Sequence, residues 1–319
     1  MASPSISTHA ALARFLPNYW DSVLGENLYP NLYLYQFGTK RVIPRNFGNT
    51  IKIPRLLKQN IVFKLTEGSI PGACPISGTT ISGGMSQFGG VYKHADILML
   101  TAMSDVVQMS LADLSRDAAK KIDNKIRDTI SGLGLMIATA SAGTSQTVHT
   151  ADILKPKHII RGVVNLDNTN NSRPADGHYP VIIAPKTVYD IQTNLSGGAW
   201  LDILKYSDSQ KARIYQGEVG KMYGARFVTS TESVKRIATG LSTGVSGYRE
   251  FMFAPDAYYV TEIGDLTAKT YVKQLGSAGS ADPINQQSTV GVKVYFGCLA
   301  ANWSATEYKL VRFIHGNTL

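Results

Sequence analysis

Cysteine is nearly absent from this chain of 319 residues: Cys74 and Cys298 are the only two, and they lie far apart. That pattern excludes a disulfide framework and suits a reducing compartment. Charged residues make up only 17% and hydrophobic ones 44%, so the sequence predicts a mostly folded chain. No run approaches the roughly 18 apolar residues of a membrane span. The opening MASPSISTHAALARFLPNYW has no basic start followed by an apolar core, which predicts no secretory leader. Without a leader, the sequons at Asn170, Asn194 and Asn302 carry no weight.

Catalytic and metal patterns are equally scarce. The six histidines (His9, His94, His149, His158, His178, His315) show no ligand spacing, and neither cysteine sits in a CxxC, so no metal site is expected. No Walker loop or GxGxxG occurs. One formal match to GxSxG stands at Gly240-Leu241-Ser242-Thr243-Gly244. A nucleophile elbow needs a buried strand before it and a helix after it. Residues 234–238 (VKRIA) make a poor buried strand, and residues 245–247 a poor helix start. A serine hydrolase using Ser242 is therefore an alternative, and no enzyme or cofactor is the expectation. Cys74, between Ala73 and Pro75 with no histidine nearby, reads as a small hydrophobe in a loop.

What is abundant is glycine, with 29 residues, and positive charge, with a net +9. Residues 1–64 hold eight bases and two acids, a net +6 in a fifth of the chain. A basic segment of this kind can touch nucleic acid without reading its sequence, or dock on acidic patches of neighbouring subunits. The aromatic stripe Phe15, Tyr19 and Trp20 on the same arm points to docking against another surface.

The longest periodic stretch is 104–137. Val107, Leu111, Leu114, Ala118, Ile122, Ile126, Ile130 and Leu133 fall on one helical stripe, and Asp113, Arg116, Asp117, Lys120, Asp123, Arg127 and Asp128 lie opposite. Asp117–Lys121 and Asp123–Arg127 are spaced as i,i+4 pairs, and Ser104 is placed to cap. At about 1.5 Å per residue the helix would reach about 50 Å. Before it, residues 57–93 read as a glycine-rich hairpin with flanks at 61–65 and 87–93. Its tip has little means of building a core, which marks a functional or partner-ordered loop. Strands are expected at 50–53, 179–184, 226–230, 250–260, 290–296, 299–303 and 309–314. Short helices are expected at 186–193 and 200–206, a small-residue linker at 139–150, mixed structure at 153–166 and a polar loop at 165–177. The class is α+β.

Four stretches resemble a known family. They are Gln36-Phe37-Gly38 with Lys40-Arg41-Val42-Ile43-Pro44 and Asn49-Thr50-Ile51; Leu65-Thr66-Glu67-Gly68; Gln87-Phe88-Gly89 with Asp96-Ile97 and Leu100-Thr101-Ala102; and Trp200, Lys205-Tyr206-Ser207, Gly217-Glu218-Val219-Gly220 with Gly224-Ala225-Arg226-Phe227-Val228. In order and spacing they resemble major capsid proteins of tailed bacteriophages with the Hong Kong 97-type fold, nearest to the family named after podophage N-four. Gly89-Gly90 departs from the Gly-Asp of that pattern, and the last ninety or so residues match less.

The resemblance implies an N-terminal arm at 1–49, an extended loop at 50–95 and a peripheral domain at 96–179 with a spine helix at 104–137. It further implies an axial domain at 180–285 and return strands of the peripheral domain at 286–319. Function follows as self-assembly, through hexamers and pentamers, into an icosahedral virion shell around double-stranded DNA, put together in the host bacterial cytoplasm. Scaffold, portal and decoration proteins are further partners it implies, with no membrane. A phage tail or tube protein is the other structural alternative. Candidate inter-subunit contacts are Arg14, Trp20, Arg55, Lys58, Lys64 and Glu67.

Overall fold

A computed structural model describes residues 32–56, 62, 64, 67–68, 75–102, 105–139, 152–193, 218–232, 235–237, 247–264, 268–277, 282–301 and 308–316. A 3-10 turn at Tyr35–Phe37 leads into β1 (Thr39–Ile43), β2 (Thr50–Leu56), β3 (Gly78–Gly84) and β4 (Ser86–Ala95). Helices α1 (Asp96–Thr101) and α2 (Val106–Ile130) follow, then β5 (Leu135–Ala138), α3 (Pro156–Asn168), β6 (Tyr179–Ile183) and α4 (Pro185–Thr193). The rest is strand: β7 (Glu218–Met222), β8 (Ala225–Thr229), β9 (Lys235–Ile237), β10 (Gly247–Phe253), β11 (Tyr258–Ile263), β12 (Ala268–Lys273), β13 (Gln287–Ala300) and β14 (Leu310–His315).

These strands form two sheets and a separate ribbon. In the first sheet β13 is central, paired with β4, β11 and β12, and β1 lies parallel on β11. The second runs β5-β14-β10-β6-β8-β7, with β9 on β10. The ribbon is β2 against β3, from Thr50↔Gly84 to Leu56↔Gly78. Segment 286–319 is thus divided, with β13 in the first sheet and β14 in the second.

Strand alternation explains the core. Ser288, Val290, Val292, Val294 and Phe296 point from one face of β13, and the last four pack with the buried stripe of α2. The second sheet is buried on both faces, so its strands read as continuous apolar runs. Ile182 and Phe251 join the α2 side, while Val181, Ile183, Met252 and Phe313 pack with Ile159, Val163 and Leu166 of α3.

The long helix differs from its sequence reading. It ends at Ile130, so its 25 residues span about 38 Å. Asp105 caps it, accepting from the backbone N–H groups of Val107 and Gln108 at 2.9 and 3.2 Å; Ser104 lies outside the described residues. Residues 135–138 continue as β5, parallel to β14, because Gly134 turns the chain at φ +80°. A Cβ there would sit 2.3 Å from the Leu310 carbonyl oxygen. Gly134→Ala is expected to cost about 2–3 kcal/mol, combining left-handed backbone strain with overpacking, read as a shift in urea midpoint. Asp123, placed with the charged face by periodicity, is 1% exposed, and Arg127 meets the neighbouring Asp128 at 3.4 Å instead.

Other boundaries moved as well. The hairpin's strands are β2 and β3, while 87–93 belongs to β4 in the first sheet, and residues 61–65 are described only at Val62 and Lys64, outside any strand. Residues 156–168 form a helix rather than mixed structure, opened by Pro156 and running past the expected loop start. The strand expected at 290–296 runs on to Ala300 as part of β13, while residues 302–303 lie outside the described residues, and 250–260 is two strands, β10 and β11, separated by a turn at Asp256 with φ +58°. The expected helix at 200–206 and linker at 140–150 lie outside the described residues.

Candidate functional site

Exposed surfaces, rather than a pocket of reactive groups, distinguish this chain. Asn46 and Gly48 adopt φ of +68° and +88° and turn it into the β2–β3 ribbon. The Met85 N–H donates to the Asn49 carbonyl at 2.9 Å and closes the ribbon's base. Gly83 lies against Leu299, so the base rests on the first sheet. Further out, no position of either strand is fully buried. A two-stranded ribbon of this kind is marginal alone in water and needs a surface to lie on. Phe47 at 77%, Leu56 at 69% and Ile76 at 78% exposure are its apolar contacts in waiting.

A second apolar surface is α1. Its six residues include no buried side chain, and Ile97 and Leu100 are 67% and 83% exposed. Periodicity missed this helix because it is one turn and a half long and continuous in sequence with the approach to α2.

Residues 32–35 are held by polar anchors that no local motif announces. The Asp123 carboxylate accepts the backbone N–H groups of Tyr33, Leu34 and Tyr35 at 2.8, 3.2 and 3.3 Å. The buried Tyr258 hydroxyl donates to the Leu34 carbonyl at 2.5 Å, and burial raises its pKa well above 10. Tyr35 donates to Glu262, and Lys40 sits 4.7 Å over the Tyr35 ring.

Of the six candidate contacts, Arg14, Trp20 and Lys58 lie outside the described residues. Arg55 is half-buried on β2, and its charge reaches Tyr259, whose pKa is raised by burial and Asp256 against the opposing Arg41 and Arg55. Lys64 and Glu67 are exposed on the stretch beyond β2. The positive charge foreseen for this region is present at Lys40, Arg41, Arg45 and Lys52, all exposed.

Reactive chemistry does not assemble among the described residues. No group of three His, Cys, Asp or Glu side chains could hold a metal, and no helix is long and apolar enough to cross a membrane. Ser242 lies outside the described residues, and the strand before it, β9, is three residues long. Burial pushes the Cys298 thiol up to about 12, which makes it a poor nucleophile. The buried charges Glu250 and His315 face each other at 3.1 Å inside the second sheet, closed from solvent.

No protein-family model and no curated protein sequence matches the chain. Solved structures do match in shape. The capsid of Ralstonia phage GP4 superposes with a TM-score of 0.70 at 12% identity, covering 90% of this chain and 92% of that one. The capsid of cyanophage P-SCSP1u gives 0.61 at 12% identity over 89% and 88%. The capsid asymmetric unit of cyanophage Pam1 gives 0.60 at 13% identity over 86% and 86%. Matches that run nearly end to end in both partners, at so little identity, rest on architecture: this chain has the Hong Kong 97-type α+β fold of phage capsid proteins.

Proposed function

We propose that this chain is the major capsid protein of a tailed bacteriophage, self-assembling through hexamers and pentamers into an icosahedral shell around double-stranded DNA. The observation that carries the reading is the two-way coverage by phage capsid chains. The exposed ribbon and α1 support it, because both present apolar surface that a second copy would cover. The role is structural, and the tail or tube and hydrolase alternatives have no comparable support.

In this reading 1–49 is an arm rooted at Asp123, and the ribbon, 50–84, is the part of the 50–95 loop that reaches a neighbour. The first sheet with α2 forms the peripheral domain and the second sheet the axial one. Strands β11 and β12 then belong with the former, and β14 with the latter. Arg14, Trp20, Arg55, Lys58, Lys64 and Glu67 are contacts between copies. Exposed ion pairs contribute about 0–1 kcal/mol each, so apolar burial dominates assembly. DNA contact is nonspecific and weakens with salt.

Electron microscopy of the purified full-length protein, with and without co-expressed scaffold, tests the proposal. Closed shells, hexamers or pentamers are expected; tubes, or a monomer under every condition, overturn it. The double variant Phe47→Ser, Leu56→Ser sharpens the test. Each side chain contributes about 1.5–3 kcal/mol when fully buried in a partner. Assembly should fall about tenfold or more in sedimentation velocity, while the urea midpoint of the unassembled chain stays unchanged.

A further inference from the structure

Where β4, β13 and β12 pair, the first sheet has one face packed on α2 and the other uncovered. Because Ser288, Val290, Val292, Val294 and Phe296 point inward, Gln287, Thr289, Gly291, Lys293 and Tyr295 point outward, and their cross-strand partners share that face. Pairing sorts the outer face into rows. Lys269 stands opposite Lys293, and Lys273 opposite Thr289 opposite Lys93. Between them lies Tyr271 opposite Gly291 opposite Val91. Four residues of strand separate the two lysine rows, about 13 Å. None of the outward positions on β4, β12 and β13 is acidic.

This arrangement works against the isolated chain. Lys269 directly across from Lys293 is a like-charge pair, which destabilises a sheet. Gly291 between the rows and Gly89 opposite Lys293 floor an open cleft of about 470 Å³ with Tyr271 on its wall. Tyr271 is 49% and Val91 60% exposed. An apolar, aromatic centre between charged borders is the layout of a protein-binding patch.

We propose that this face binds an extended acidic segment of a different protein, its apolar side chains seated over Gly291 and its carboxylates on the two lysine rows. The occupant is not this chain's own arm or ribbon: the first 64 residues carry a net +6. Nor does any other part of the chain offer an acidic run, since no two acids are adjacent in it. A DNA backbone would satisfy the lysines but leave Tyr271 and Val91 uncovered. Strand β4 leads directly into α1, where Ile97 and Leu100 are exposed as well.

Fluorescence anisotropy on the full-length chain tests this with three labelled probes: a random glutamate–tyrosine copolymer, poly-glutamate and a short mixed-sequence DNA duplex. Replacing Lys93, Lys269, Lys273 and Lys293 with Gln should weaken copolymer binding by about tenfold or more, while replacing Lys52, Lys120, Lys121 and Lys125 with Gln should change it less than about twofold. Gly291→Thr fills the cleft with a Cβ that meets nothing closer than 3.5 Å, so it keeps the fold even where the lysine variant does not. It should weaken copolymer binding by about fivefold and leave poly-glutamate unchanged. Equal losses in the two lysine variants, or no effect of Gly291→Thr, overturn the proposal. So does tighter binding of the duplex lost only with the face lysines, which would make the face a nucleic-acid surface.

Discussion

Replacing Asp123 with alanine should destabilise the protein by about 3–5 kcal/mol. The carboxylate is 1% exposed and accepts three successive backbone N–H groups from residues 33–35. Each donor left unsatisfied in a buried place costs about 1–3 kcal/mol. Leu34, fully buried beneath them, would lose its fixed backbone. The effect should appear in urea unfolding as a lower midpoint. Limited proteolysis should also show faster cleavage around residues 32–35, because the anchor of that segment is gone. Asp123→Asn keeps shape and one acceptor and should lose less. A loss under about 1 kcal/mol for the alanine variant would mean that Tyr258 and the apolar contacts hold residues 32–35 without it.

Removing His315 should cost a similar amount, about 3–5 kcal/mol, because it strands a buried carboxylate. The geometry dictates the protonation of this pair. His315 Nδ1 lies 2.6 Å from the Gly316 carbonyl, which can only accept, so Nδ1 carries a proton. Nε2 faces Glu250 Oε2 at 3.1 Å, off the line of an aligned hydrogen bond, so the contact is an ion pair. A neutral ring would aim its lone pair at that carboxylate; the imidazolium does not. Glu250 Oε1 is already occupied, accepting from the Ala184 N–H at 2.8 Å and the Thr187 hydroxyl at 2.6 Å.

Burial by itself would lower the His315 pKa. The Glu250 charge and contact, the Gly316 carbonyl and Asp190 outweigh it, and the pKa is raised. The contribution is therefore complete below the unfolded value of about 6.5 and is lost as pH rises through the folded value above it. His158 works on the acid side. Burial first, then Lys157, Lys155 and His315, lower its pKa to about 4. The unfolded chain takes up that proton between about 6.5 and 4, so stability falls as pH drops through this range. The urea midpoint should thus peak near pH 6.5 and decline both ways. His315→Gln should flatten the alkaline limb and make the acid limb slightly shallower, since His315 is one of the charges that depress His158. An alkaline limb unchanged in that variant would rule the pair out as its source.

Much of the architecture was legible because the signals were periodic and local. Apolar residues at steps of three and four gave the helix of α2, and runs such as 179–184 and 309–314 gave buried strands. Where local signals compete, reading failed. The stripe would carry the helix to Leu133, yet it ends at Ile130, and Gly134, with its left-handed φ, then turns the chain into β5. Asp123 is charged and correctly spaced for the solvent face, yet it is buried; only residues 33–35, some ninety positions away, give it partners. The clustering of positive charge was legible, while the exposed apolar side chains Phe47, Ile97 and Leu100 were not. Their exposure depends on what fails to pack against them.

By itself, then, the sequence determined the class of fold, the location of the long helix, the basic charge of the first 64 residues and the absence of metal and cofactor motifs. These depend on composition and on spacing within one element. Which strands share a sheet, that β14 joins the second sheet and not β13's, and that four lysines from three strands converge on one bare face were decided only by tertiary structure. Pairing partners as far as about 220 residues apart meet through backbone hydrogen bonds that every residue but proline can donate, so no side-chain pattern along the chain specifies them.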